Sequence, residues 1–139
     1  MREGTGGPFG AVIVQNGNII GQGQNRVLTQ CDPTAHAEIN AIRNACATIK
    51  SFELRGCDIY SSCEPCPMCL GAVHWSRLEH IYYAANRSDA AEIGFDDHFF
   101  YQEIEKNRNE RQVGMIEMLR EDALVIFDEW QSMQNKQMY

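Results

Sequence analysis

The chain is expected to fold as an α/β protein, a three-layer αβα sandwich around a mixed five-stranded sheet. Three observations lead there. Short strand-like runs alternate with helix-like stretches along most of the chain. The first two runs are joined by Asn16-Gly17, a turn that pairs strands antiparallel. The later runs are separated by helices, and such crossovers pair strands in parallel and place helices on the sheet faces.

The elements follow in order. Phe9-Gly10-Ala11-Val12-Ile13-Val14 and Asn18-Ile19-Ile20 are the arms of the hairpin. Asp32-Pro33 is expected to open a helix, with Asp as N-cap and Pro at the first helical position. Its body, near residues 35–49, carries Ile39, Ile42 and Cys46 at helical spacing. A strand at Cys57-Asp58-Ile59-Tyr60-Ser61 comes next. Glu64-Pro65 then repeats the acid–proline opening before a second helix near residues 66–77. His80-Ile81-Tyr82-Tyr83-Ala84-Ala85 is a further strand, and residues 86–110 read as short helical pieces and loops. Gln112-Val113-Gly114-Met115-Ile116-Glu117-Met118 is the expected fifth strand. A last helix, from about Glu121, places Leu124, Phe127 and Trp130 on one face. No repeat, low-complexity tract or linker interrupts the chain, so residues 1–139 are expected to form a single domain.

Composition narrows the function. A hydrophobic fraction of 44% and a charged fraction of 22% are ordinary for a globular protein. The longest apolar run, Ala11-Val12-Ile13-Val14, falls far short of the roughly 20 residues a spanning helix needs. The first residues lack a signal peptide's apolar stretch, so a cytoplasmic protein with no membrane partner is expected. The net charge of −7, with scattered Lys and Arg, argues against a nucleic-acid partner and for a small neutral substrate. Six cysteines would suit a disulfide framework only in a small exported chain. The spacing of Cys63, Cys66 and Cys69, each three apart, favours a metal or a redox pair instead.

The chemistry concentrates in His36-Ala37-Glu38 and Pro65-Cys66-Pro67-Met68-Cys69. Cys66 and Cys69, three apart at a helix start, share a face and suit one ion. The amides and dipole of a helix N-terminus lower thiolate pKa values, which metal binding requires. His36, beside the start of its own helix, supplies a third ligand. One imidazole and two thiolates suit zinc, one ion per chain, and three protein ligands leave a fourth position for water. Glu38 lies about 200° around a helix from His36, at roughly 100° per residue, so it is free for proton transfer and not a neighbouring ligand. H-x-E followed by P-C-x-x-C is the zinc-deaminase signature, with that Glu as acid and base. Two other readings stand beside it. Cys63 would complete a closed structural zinc site of four ligands, and a thioredoxin-like pair would leave His36 and Glu38 unexplained.

The stretches Asp32-Pro-Thr-Ala-His-Ala-Glu38 and Ser62-Cys-Glu-Pro-Cys-Pro-Met-Cys-Leu-Gly-Ala72 resemble the cytidine-deaminase superfamily. More narrowly, Val73-His74-Trp75, the segment Asp89-Ala-Ala-Glu-Ile-Gly-Phe-Asp-Asp97 and the terminal Tyr139 are similar to bacterial guanine deaminases of that fold. The resemblance runs from about Gly7 to the last residue. It implies a cytidine deaminase-like sheet and hydrolytic deamination of guanine to xanthine and ammonia. It also implies that Asn25 hydrogen-bonds the base, that Trp75 lines the pocket, that Asp97 accepts from the guanine amino or ring N–H edge, and that Tyr139 closes the pocket. A homodimer is implied too, in which the C-terminal segment crosses to the partner. The family has a helix ahead of the first strand, and only a few Gly-rich residues precede Phe9, so that helix is expected to be missing. His74, His80 and His98 are expected to be structural or surface residues. A tRNA adenosine deaminase shares the zinc pattern but needs a basic anticodon-loop surface. A cytosine or nucleoside deaminase is the other enzymatic reading, and a deaminase-fold protein with purely structural zinc is the non-enzymatic one.

Overall fold

In a computed structural model, residues 1–138 are described, and they divide into two compact units, Met1–Phe100 and residues 101–138. The first unit is built on a hairpin of β1 (Gly10–Gln15) and β2 (Asn18–Gln24). Asn16 and Gly17 both have positive φ, 50° and 78°, as a tight turn matching strand twist demands. A one-turn helix, α1 (Val27–Gln30), leads to α2 (Ala37–Ile49), then β3 (Cys57–Cys63), α3 (Pro67–Trp75), β4 (His80–Ala85) and α4 (Arg87–Glu92). The strand order is β2-β1-β3-β4, with β1 antiparallel to both neighbours and β3 parallel to β4 across the α3 crossover. The mixed sheet is therefore as expected, but it has four strands and not five.

Residues 112–118 form no strand. The Gln112 amide is taken by the Glu103 carboxylate at 2.8 Å, and the Arg111 guanidinium ties the preceding chain to the carbonyls of Lys106 and Ile104. Gly114 lies in the middle, with no side chain to pack. Apolar composition alone drew the expectation, whereas a strand needs a neighbouring ladder for its amides. This second unit holds a 3₁₀ turn at Arg108–Glu110 and α6 (Arg120–Ser132); α5 (His98–Glu105) carries the chain into it. Leu124 is half-buried on α6, while Phe127 and Trp130 are exposed. Among the described residues no helix is long and apolar enough to cross a membrane.

Two facing rows of small residues decide how the first unit packs. α2 buries Ala37, Ala41 and Ala45, at a spacing of four, against the β2 glycines. A Cβ on Gly23 would stand 2.2 Å from the Ala37 carbonyl oxygen and 2.4 Å from the Ala41 amide. A Cβ on Gly21 would stand 2.5 Å from the Ala41 carbonyl oxygen. Helix and strand thus touch backbone to backbone. Asn40 and Asn44 donate to the Gln24 and Gln22 carbonyls at 3.0 and 2.8 Å, satisfying the free edge of β2. The deepest stripe of α2 is therefore alanine, with Ile42 and Cys46 at its margin. α3 adds Val73 to the same core, beside Ile13, Leu54, Cys57 and Ile59. The opposite sheet face, with Tyr60 stacked on Tyr82 at 4.6 Å, is half-exposed within this unit.

Candidate active site

Both helices begin later than their acid–proline pairs suggest. The α2 N-cap is His36, in extended backbone (φ −69°, ψ 160°), and the α3 N-cap is Cys66 (φ −64°, ψ 167°). Asp32 instead closes a turn, accepting from the Thr34 amide at 2.8 Å and the Thr34 hydroxyl at 2.7 Å. Glu64 accepts from the Arg87 amide at 3.1 Å, tying the approach to α3 to the start of α4. The proline at the first helical position of α3 is Pro67. Neither N-cap side chain caps its own helix, so an imidazole and a thiol project beyond the two helix ends.

There they meet. His36 Nδ1 lies 3.6 Å from Cys66 Sγ and 3.5 Å from Cys69 Sγ. Zinc bonds of about 2.3 Å to sulfur and 2.0–2.1 Å to nitrogen, at a tetrahedral angle, give an N···S edge of about 3.6 Å, so the three donors fit that ion. Cys63 is not in the group; its thiol donates to the Asn86 carbonyl at 3.7 Å, which leaves three protein ligands and not four. Among the described residues, the other such grouping is Asp58, Glu79 and His80, a set without sulfur near the start of β3 in which only Asp58 is half-buried. His80 pairs there with Asp58 at 2.8 Å. All six cysteines are free.

Electrostatics favours a metal at the first group. The hydrogen bond from Cys69, then that of His36, pulls the Cys66 thiol down to about 4, while the Cys66 hydrogen bond and burial push the Cys69 thiol up. Of the two sulfurs, Cys66 is thus the one favoured as thiolate. The Cys66 hydrogen bond also raises the pKa of His36. A cation entering here replaces the protons of these hydrogen bonds.

Glu38, at the second position of α2, is 6% exposed and faces the same cluster. Its Oε2 lies 3.4 Å from Cys69 Sγ, and its Oε1 accepts from the Ser61 hydroxyl at 3.1 Å. Asn25 is buried just after β2, and its Oδ1 accepts from the amides of Gly7 and Val27, both at 3.3 Å. Its carbonyl end is thus spent on the loop, and its NH₂ end remains a donor. Asp97 sits ahead of α5, and its pKa is raised by burial and then by the charge of Cys66. Trp75 lies at the far end of α3 from Cys66, 64% exposed, with the Arg77 guanidinium carbon 5.9 Å from its ring centre. The structure therefore brings His36, Glu38, Cys66 and Cys69 together, couples Asp97 to them only through the field of the Cys66 charge, and leaves Trp75 away from them. Tyr139 lies outside the described residues. Ser61 escaped the sequence reading, yet the β3 row facing α2 is Cys57, Ile59, Ser61, Cys63. A hydroxyl in that buried period-two row was the available signal.

Known proteins extend this geometry. Residues 1–85 match the family model of the cytidine and deoxycytidylate deaminase zinc-binding region. A guanine deaminase from Bacillus subtilis is 52% identical over 139 residues, spanning 100% of this chain and 89% of that protein. An X-ray structure of guanine deaminase from Bacillus subtilis superposes with a TM-score of 0.96 at 51% identity, covering 99% of this chain and 88% of that one. A tRNA-specific adenosine deaminase from Haemophilus influenzae is 44% identical over 94 residues, 67% of this chain and 54% of that protein. With a His–Cys–Cys group of zinc dimensions and a matching fold, the chain belongs to the zinc-binding cytidine and deoxycytidylate deaminase family.

Proposed function

We propose that this protein is a zinc-dependent hydrolase that converts guanine and water to xanthine and ammonia. The observation that carries the reading is the extent of the likeness. Identity to a guanine deaminase runs through all 139 residues, including those after β4, whereas the Haemophilus tRNA-specific adenosine deaminase matches over 94. The net charge of −7 supports a small neutral base over an anticodon loop.

His36, Cys66 and Cys69 would hold the zinc, which supplies a Lewis acid able to make a nucleophile of water near neutral pH. Asn25, with only its NH₂ end free, donates to an acceptor on the base. Asp97 accepts from the donor-rich amino and ring N–H edge. With the base so oriented, Glu38 takes a proton from the attacking water at Oε2 and delivers it to ring N3, then takes the second proton from the new C2 hydroxyl and passes it to the departing amino group. Tyr139 is proposed to close the pocket, whereas Trp75, at the far end of α3 from Cys66, is given no part in it. The proposed domain takes in residues 1–139, works in the cytoplasm, and pairs as a homodimer with exchanged C-terminal segments. Exposed Val125, Ile126 and Phe127 on α6 support that pairing. If tails act in trans, a tail-deleted chain co-expressed with a full-length Glu38→Gln chain regains activity; without rescue the tail acts locally.

The metal assignment is tested by zinc analysis of purified variants. His36→Ala, Cys66→Ala and Cys69→Ala should each lose most of the metal, while Cys63→Ala keeps about one zinc per chain. Full zinc in Cys66→Ala would overturn the ligand set, and loss in Cys63→Ala would point to a closed structural site.

A further inference from the structure

Glu38 must hold its carboxylate still while protons come and go, and only two donors reach that carboxylate among the described residues. One is the Ser61 hydroxyl, 3.1 Å from Oε1; the other is the Cys69 thiol, 3.4 Å from Oε2. Their fates differ once a cation is bound. A coordinating thiol loses its proton, so Cys69 ceases to donate and becomes a negative neighbour of Oε2. Ser61 is then the remaining anchor.

Its own place is rigid. Ser61 lies on β3, an interior strand, opposite Ala11 of β1 and Tyr83 of β4, and it is 7% exposed. Neighbours on both sides fix the backbone, and the inward row of Cys57, Ile59, Ser61 and Cys63 fixes the direction in which the hydroxyl points. We infer that Ser61 is a positioning residue that pins Oε1 of Glu38, so that Oε2, on the metal side, is the oxygen that exchanges protons. This division of labour rests on the deaminase reading above and adds to it. A hydroxyl bound to a buried carboxylate is a strong contact. Its loss would let the carboxylate turn away from the thiolates beside it.

The test compares zinc-loaded Ser61→Ala and Ser61→Thr with the parent. Ser61→Ala should keep about one zinc per chain and a KM within about threefold, while kcat falls about ten- to a hundredfold, the range that loss of a hydrogen bond to a charged group predicts. Ser61→Thr, which restores the hydroxyl, should recover kcat to within about threefold of the parent. A Ser61→Ala enzyme with the parent's kcat, or a Thr variant as slow as the Ala variant, would overturn the inference. Crystal structures of the zinc-loaded proteins give a readout independent of turnover. The parent should show Ser61 Oγ on Glu38 Oε1, and Ser61→Ala should spread the carboxylate over more than one conformer. A single unchanged conformer in Ser61→Ala would also overturn it. Should the parent release no ammonia from guanine while the Ser61–Glu38 contact persists, the reading of substrate fails and the positioning role stands.

Discussion

Glu38 reaches the metal side of the site while His36, two residues earlier, reaches it as well, because His36 is not yet helical. Its extended backbone turns the imidazole past the helix end, whereas Glu38 projects from the first turn. Were both residues helical, they would point about 200° apart. Glu38→Gln keeps this geometry and removes the proposed proton shuttle, so zinc content should be unchanged and turnover should fall about 10²- to 10⁴-fold. Turnover within about threefold of the parent would exclude the role. The thiols offer a second test at this scale. In metal-stripped protein, Cys66 is held down to about 4, chiefly by the Cys69 hydrogen bond, while burial raises Cys46, Cys57 and Cys63. A depressed pKa means that the thiolate persists as pH falls and is protonated only near the lowered value. In a Cys31→Ser background, alkylation of Cys66 mapped by mass spectrometry should therefore reach about the same extent at pH 6 as at pH 8. A steep rise between those pH values would contradict the arrangement. Motif spacing made His36, Glu38, Cys66 and Cys69 legible in the sequence, because each pair lies within one helical turn. Ser61 was not, since its partner is 23 residues away and only folding brings them together.

At the scale of elements, the hairpin, β3, β4 and the two site helices were readable, because Asn-Gly turns and hydrophobic periodicity are local signals. Two features were misread for one reason: composition does not show which partner a carboxylate or an amide will take. Asp32 and Glu64 resemble N-caps, but their carboxylates are engaged by Thr34 and by the Arg87 amide, and the helices begin at Ala37 and Pro67. Residues 112–118 have strand composition but lack a ladder to join, with the Gln112 amide already taken by Glu103. The seating of α2 on β2 yields a prediction of opposite signs. Gly23→Ala drives a Cβ into helix backbone at 2.2 Å, so it should lower stability by about 1–3 kcal/mol and reduce zinc retention by lifting the helix that begins at Glu38's turn. Gly71→Ala, inside α3 with no atom within 4 Å of the new Cβ, should be neutral or stabilising by up to about 1 kcal/mol. Thermal unfolding of both variants distinguishes them, and equal shifts would refute the close approach.

For the whole molecule, fold and metal chemistry are shared across a family whose members act on different substrates, so the sheet and the zinc group alone do not choose the base. The choice here rests on what surrounds them: a buried Asn25 with a free NH₂ end, Asp97 within the field of the Cys66 charge, an acidic chain, and likeness to a guanine deaminase that continues to the last residue. Part of this was legible early, since net charge is a property of composition. The orientation of Asn25 was not, because it depends on the amides of Gly7 and Val27. The most direct measurement incubates zinc-loaded protein separately with guanine, guanosine, adenine, cytosine and a tRNA bearing an unmodified adenosine at the wobble position, and follows ammonia together with chromatographed products. Guanine should disappear with equal amounts of xanthine and ammonia formed, and the tRNA should contain no inosine. Inosine in the tRNA with guanine untouched, or no ammonia from any compound by fully zinc-loaded protein, would contradict the account.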